Sequence, residues 1–220
     1  MPNRFSPDEV AALPQVLSAP RFATYIAARG SPLPALSLYH WNAQVSAAFL
    51  FPLHIYEICI RNAAANAIEG YYHANWPWAK AFETSLPNPM PPHFSPRREL
   101  LKVRDGKLTA GQVIGELKFA FWESIYTKRH DGRLWNTSAL GEFRNLPPGT
   151  TPQAARKLVH ASTGAVRALR NRIAHHEPIF ARDLVSDYQT IHDIILYKCR
   201  HTAGYVSRSQ GVTNLLALKP

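Results

Sequence analysis

A chain of 220 residues, 46% aliphatic and aromatic and only 18% charged, is long enough for one sizeable core and too apolar to be disordered. Its formal charge of +10 sits wholly in the second part: residues 1–96 hold five Lys/Arg and five Asp/Glu, and residues 97–220 hold twenty and ten. That excess suits a polyanion such as nucleic acid, although a basic solubilising surface gives the same count.

Ser6-Pro7-Asp8-Glu9 reads as a helix start, with a capping serine, a first-turn proline and acids at the positive dipole end. Ser18 caps a second short helix that Gly30 and Pro32 end. A long apolar helical pattern then runs from about Leu36 to Tyr72, in which Pro52 must begin a new helix or kink the old one, and a break is expected there. The run from Val45 to Ile60 is cut by Pro52, His54 and Glu57, so no membrane span is expected. The first eight residues lack the apolar core of a signal peptide, which predicts a cytoplasmic protein. Cys59 and Cys199 stand singly in apolar helical contexts, as reduced core residues do.

Trp76-Pro77-Trp78 closes the long helix, and Leu86 to Pro92 is a proline-rich connection without regular structure. Ser95-Pro96 starts a helix to about Arg104, and Thr109 caps another that should reach Tyr126. Asp131-Gly132 and Leu146-Pro147-Pro148-Gly149 bracket a segment expected to be irregular. Thr151-Pro152 opens the longest uninterrupted helix of the basic part, which Glu177-Pro178 must end near His176. A last helix is expected from about Asp183 to Arg200. No strand or hairpin signal persists, so the fold class is all-α, a helical bundle. Residues 1–35 read as a helical extension packed on the core, and 206–220 as a C-terminal tail.

On the helix from Pro152, Ala155, Leu158, Val159, Ala165, Val166, Leu169 and Ile173 have the spacing of one buried stripe. At about 100° per residue, Arg170, Arg167, Asn171 and His175 fall across the other face, whereas His176 returns to the stripe. His175 is therefore the reactive imidazole, and His176 a packed, hydrogen-bonded one. Cleaving RNA without metal needs a base for the 2′-hydroxyl, an acid for the leaving oxygen and a cation for the phosphorane. Arg170 offers a planar fork for a phosphate, and histidine titrates in the useful range. At the negative end of the helix dipole, His175 suits the general acid. Glu57 and Arg61, four apart in acid-first order, lie in or beside an apolar stripe. They read as an intrahelical pair, as a support orienting Arg170, or as participants in the chemistry.

Arg170-Asn171 followed by His175 resembles the R-N-x-x-x-H signature of HEPN domains. Three further stretches, Leu38 to Asn42 with Ile55 to Asn62 and Trp76, Ile114 to Trp122 with Leu134-Trp135, and Leu169 to Phe180, resemble Abi-like (abortive infection) proteins in the same order. Phe119-Ala120-Phe121-Trp122 departs from the expected Phe-Gly-Phe-Trp, a change in packing more than in chemistry. The resemblance covers about residues 36–205 and implies a HEPN-like bundle and an endoribonuclease of a bacterial antiphage or toxin-like system. It also implies no metal or other cofactor, a homodimer with the two motif helices facing across a cleft, and a possible antitoxin or regulatory RNA partner.

The rival reading is a non-catalytic module that binds RNA or a toxin partner. Arg167, Arg172, Arg97, Arg98 and Lys102 are the candidate RNA contacts in either case. A metal-dependent phosphohydrolase would have to use the doublets His130-Asp131 and His192-Asp193, which lack a further ligand at a telling spacing. The five tryptophans could stack bases, but core packing is the expectation.

Overall fold

A computed structural model describes residues 5–220, and their regular structure is all helix, with no strand among them. The helices are α1 (Pro7–Val16), α2 (Ala19–Arg29), α3 (Pro32–Tyr72), α4 (Lys80–Ser85), α5 (Pro96–Arg104), α6 (Ala110–Glu116), α7 (Phe119–Ile125), α8 (Asn136–Glu142), α9 (Pro152–Ala174), α10 (Leu184–Lys198), α11 (Arg200–Ser209) and α12 (Val212–Ala217). α1 begins with a reciprocal capping box between Ser6 and Glu9, and α2 ends on left-handed Gly30. Ser18 precedes α2 as expected, but its side chain makes no cap.

α3 is the axis of the molecule, flanked by α2, α7, α9, α10 and α12. It does not stop at Pro52, contrary to the sequence expectation. An interior proline costs about 3 kcal/mol, whereas each fully buried large side chain returns about 1.5–3 kcal/mol. Val45, Phe49, Leu53 and Tyr56 are all buried on the turns around Pro52, and together they outweigh the lost hydrogen bond. By length and composition α3 could also cross a bilayer, against the sequence reading. Here its buried residues run from Ala35 to Ile68 against the other helices.

Two further expectations fail. The helix capped by Thr109 stops at Glu116 and restarts at Phe119, because Leu117 and Lys118 are extended. That break drops Leu117 into the core and turns its carbonyl toward the Trp122 indole N–H, 3.2 Å away. The segment after Asp131 is not irregular: one wide helical turn over Asp131–Trp135 leads into α8. Beyond Arg200, α11 and α12 add helix where none was expected, burying Val206 and Val212 and accepting the Trp41 indole N–H at the Leu215 carbonyl, 2.6 Å.

Trp76, Trp122 and Trp135 are fully buried and Trp41 nearly so, while Trp78 is half-exposed. Cys59 is buried and Cys199 partly so, both as free thiols. Glu83 is buried among Lys80, Arg97 and Arg104, whose hydrogen bonds hold its carboxyl down to about 2. His130 is buried too, and burial with the adjoining Arg133 and Arg129 pushes its imidazole down to about 4.

His130 therefore stays neutral in the fold while the unfolded chain takes up a proton below its ordinary 6.5. Stability from this residue is complete above that pH and drains away between 6.5 and about 4, by up to about 3 kcal/mol. A series of melting temperatures across that window should show the fall for the parent chain, and a flatter curve for His130→Gln.

Candidate functional site

Thr151 caps α9, accepting the Ala154 amide at 3.2 Å, and Pro152 fills its first turn. Its buried face is Ala155, Val159, Thr163, Val166, Leu169 and Ile173. Leu158 and Ala165, expected in this stripe, are exposed instead. Thr163 takes their place because its hydroxyl is satisfied there by the Val159 carbonyl at 2.7 Å and the Tyr56 hydroxyl at 3.1 Å, which removes the cost of burying a polar group.

The helix closes in a Schellman arrangement: the Glu177 amide donates to the Arg172 carbonyl (2.8 Å) and the His176 amide to that of Ile173 (3.1 Å). The left-handed residue is His176, with φ 55°, a conformation that histidine adopts more readily than most residues. Helical phase thus ends at Ala174, and extending it to His176 was the error. His176 is exposed, not packed on the stripe.

The outer face of α9 separates into occupied and open cations. Arg156 pairs with Asp131 (2.9 Å) and Arg167 with Glu123. Arg172 donates twice to the Pro178 carbonyl (2.8 and 3.1 Å) and lies 3.6 Å from the Glu177 carboxylate. Arg170 is the fourth arginine of this helix; it is exposed and has no side-chain partner among the described residues. Half-buried Asn171 and exposed His175 are equally uncommitted.

The expected Glu57–Arg61 pair does not form. Both side chains are partly buried without an ion pair between them, and the Arg61 Nε is buried without a partner. Support of Arg170 by Glu57 also fails on register. α3 and α9 run antiparallel, with Tyr56 against Thr163 and Asn42 against the turn at Ile179. Arg170 lies about 10 Å further along the axis than Thr163, away from Glu57 and near the level of Leu50.

Two adjoining cavities of about 500 and 420 Å³ flank the end of α9. They share Tyr25, Tyr39, His176 and Glu177 as walls, so they form one groove between α2, α3 and the α9–α10 turn. His175 and Arg21 line one end, and Ala174, Ala47 and Leu50 the other. Arg170, one turn before Ala174 on the same side of the helix, lies outside the lining of both cavities. The groove brings His175 and His176 to one concave surface within a single chain. The α2 and α3 walls carry no motif, and only the folded arrangement of Tyr25 and Tyr39 exposes their role.

Asn42 is the positioning residue that pattern reading passed over as a site residue. Buried on α3, its Oδ1 accepts the amides of Ile179 (2.8 Å) and Phe180 (3.1 Å) and anchors the turn that carries both histidines. Asn42→Ala leaves those two donors unpaired and is expected to cost about 1–3 kcal/mol. Asn42→Asp keeps the acceptor. Denaturant melts of the two variants check the difference.

The remaining candidate RNA contacts are mostly occupied. Arg97 holds Glu83 (2.9 Å), and Arg98 holds Asn88 (3.2 Å) and the His93 carbonyl (3.3 Å), whereas Lys102 is exposed. Nor do the acid–histidine doublets converge. His130 is buried beside the Asp131–Arg156 pair, and His192 meets Ser207 (3.0 Å) and Asp193 (3.9 Å). Among the described residues no three His, Cys, Asp or Glu side chains are grouped as a metal site. No protein-family model, curated protein or solved structure matches the chain.

Proposed function

We propose that the groove at the end of α9 is the active site of a metal-independent endoribonuclease of the HEPN type, acting in antiphage or toxin-like defence. The observation that carries this reading is the one arginine of α9 that has no partner among the described residues. α9 ties Arg156, Arg167 and Arg172 to its own chain and leaves Arg170 open beside Asn171 and His175. An exposed guanidinium fork with no internal duty suits a phosphate.

Chemistry then follows from the groups at hand. His176, the second imidazole of the groove, takes the 2′-hydroxyl proton, and the freed oxygen attacks the neighbouring phosphorus. The bond from phosphorus to the 5′-oxygen breaks as His175 supplies that oxygen with a proton. Arg170 offsets the charge on the phosphorane, and Asn171 orients a non-bridging oxygen. A second copy of the chain facing the outer side of α9 would complete a homodimeric cleft, as the family resemblance implies.

Structured RNA incubated with the pure protein in excess chelator is expected to yield fragments ending in 2′,3′-cyclic phosphate and 5′-hydroxyl. RNA that is bound but left intact would replace the nuclease with a binding module. Cleavage abolished by the chelator would overturn the metal-free mechanism.

A further inference from the structure

We propose that the middle of the groove, between Tyr39, Tyr25 and Glu177, is a subsite for one unstacked guanine base of the RNA; this rests on RNA being the ligand, as argued above. Tyr39 is partly exposed and lines both cavities. Its ring is held by an edge contact with Tyr25 (centroids 5.1 Å, 64°), and Tyr25 is held in turn by Phe180 (5.1 Å, 49°). A fixed aromatic wall of this kind is what a splayed base stacks against.

The polar groups then select the base. Glu177 is exposed at the wall, and its only ion pair among the described residues is one oxygen 3.6 Å from Arg172, which leaves acceptor capacity toward the groove. Tyr25 is 3% exposed, yet its hydroxyl has no hydrogen-bond partner among the described residues. Burial and the adjoining Tyr39 push that phenol up to about 12, so it remains a donor at neutral pH. Guanine alone presents two adjacent donors, N1–H and the N2 amino group, to a carboxylate, with O6 beside them to accept from a hydroxyl. Adenine and cytosine set a ring-nitrogen acceptor against the carboxylate, and uracil flanks its single donor with two carbonyls. Arg21, at the open end next to His175, is placed for the phosphate that follows the base.

The test is a calorimetric titration of the full chain with 5′-GMP, 5′-IMP, 5′-AMP, 5′-CMP and 5′-UMP in chelator. GMP is expected to bind at least about tenfold more tightly than AMP, CMP or UMP, with IMP, which lacks the N2 amino group, in between. Glu177→Gln should bring GMP to the level of AMP, and Tyr39→Ala should weaken all five. Equal affinities, binding of none, or a GMP preference that survives Glu177→Gln would each overturn the subsite. The IMP comparison needs no variant, so the result does not depend on how a substituted chain folds. Because the readout is binding, it is separable from the nuclease reading. RNA cleavage without any GMP preference would overturn the subsite alone, and a GMP preference in a protein that cuts no RNA would overturn the nuclease alone.

Discussion

His175→Ala is expected to lower the rate of RNA cleavage by about 10²–10⁴-fold, the ordinary worth of a positioned acid or base, while leaving the fold intact. Both halves of that expectation have a structural reason. His175 is exposed at the end of α9, and among the described residues only its backbone amide is engaged, donating to the Asn171 carbonyl at 3.0 Å. The imidazole can therefore be removed without opening a cavity. His176→Ala should act at a similar scale, because that ring shares the groove. An exposed histidine elsewhere, His201 on α11, serves as the control and should leave the rate unchanged. Arg170→Lys keeps the charge but loses the planar fork and should fall between the parent and Arg170→Ala. Initial rates on one RNA, with circular dichroism of each variant, decide the series.

Trp122→Ala is expected to destabilise the chain by about 3–5 kcal/mol, lowering the melting temperature by roughly 10 °C for a domain of this size. The indole is fully buried, packs edge-on against Phe121 (5.1 Å) and Trp76 (6.5 Å), and donates to the Leu117 carbonyl at 3.2 Å. Truncation leaves a cavity and an unsatisfied carbonyl at the point where the chain breaks between α6 and α7. Trp78, two residues after Trp76 but 37% exposed, should cost under about 1 kcal/mol when truncated. Comparable losses at the two positions, by differential scanning calorimetry, would contradict the packing described here.

These two residues also mark how far pattern reading reaches. Helix starts that depend on local chemistry were legible: Ser6 and Thr109 cap as expected, Ser95, Thr151 and Asp183 cap helices that begin where starts were expected, and only the Ser18 cap fails. The outward face of α9 was legible too, because 3.6-residue phase holds while a helix lasts. Legibility failed where distant packing decides. Pro52 sits inside a helix because core burial around it exceeds its local cost, and the short α12 forms by packing on α3 and α10. Leu117 breaks a helix because the core accepts it. Helical phase does not reach His176, which is itself the left-handed residue after α9 ends at Ala174. The groove itself was invisible, since Tyr25, Tyr39 and Asn42 reach the α9 turn only through tertiary contacts.

The central claim is that Arg170 and His175 cut RNA without metal. The most direct measurement compares the parent chain with an Arg170→Ala/His175→Ala double variant on one structured RNA in excess chelator, with circular dichroism to verify folding. The account predicts cleavage to 2′,3′-cyclic phosphate ends by the parent and intact RNA with the folded double variant. Equal cleavage by both proteins would contradict it.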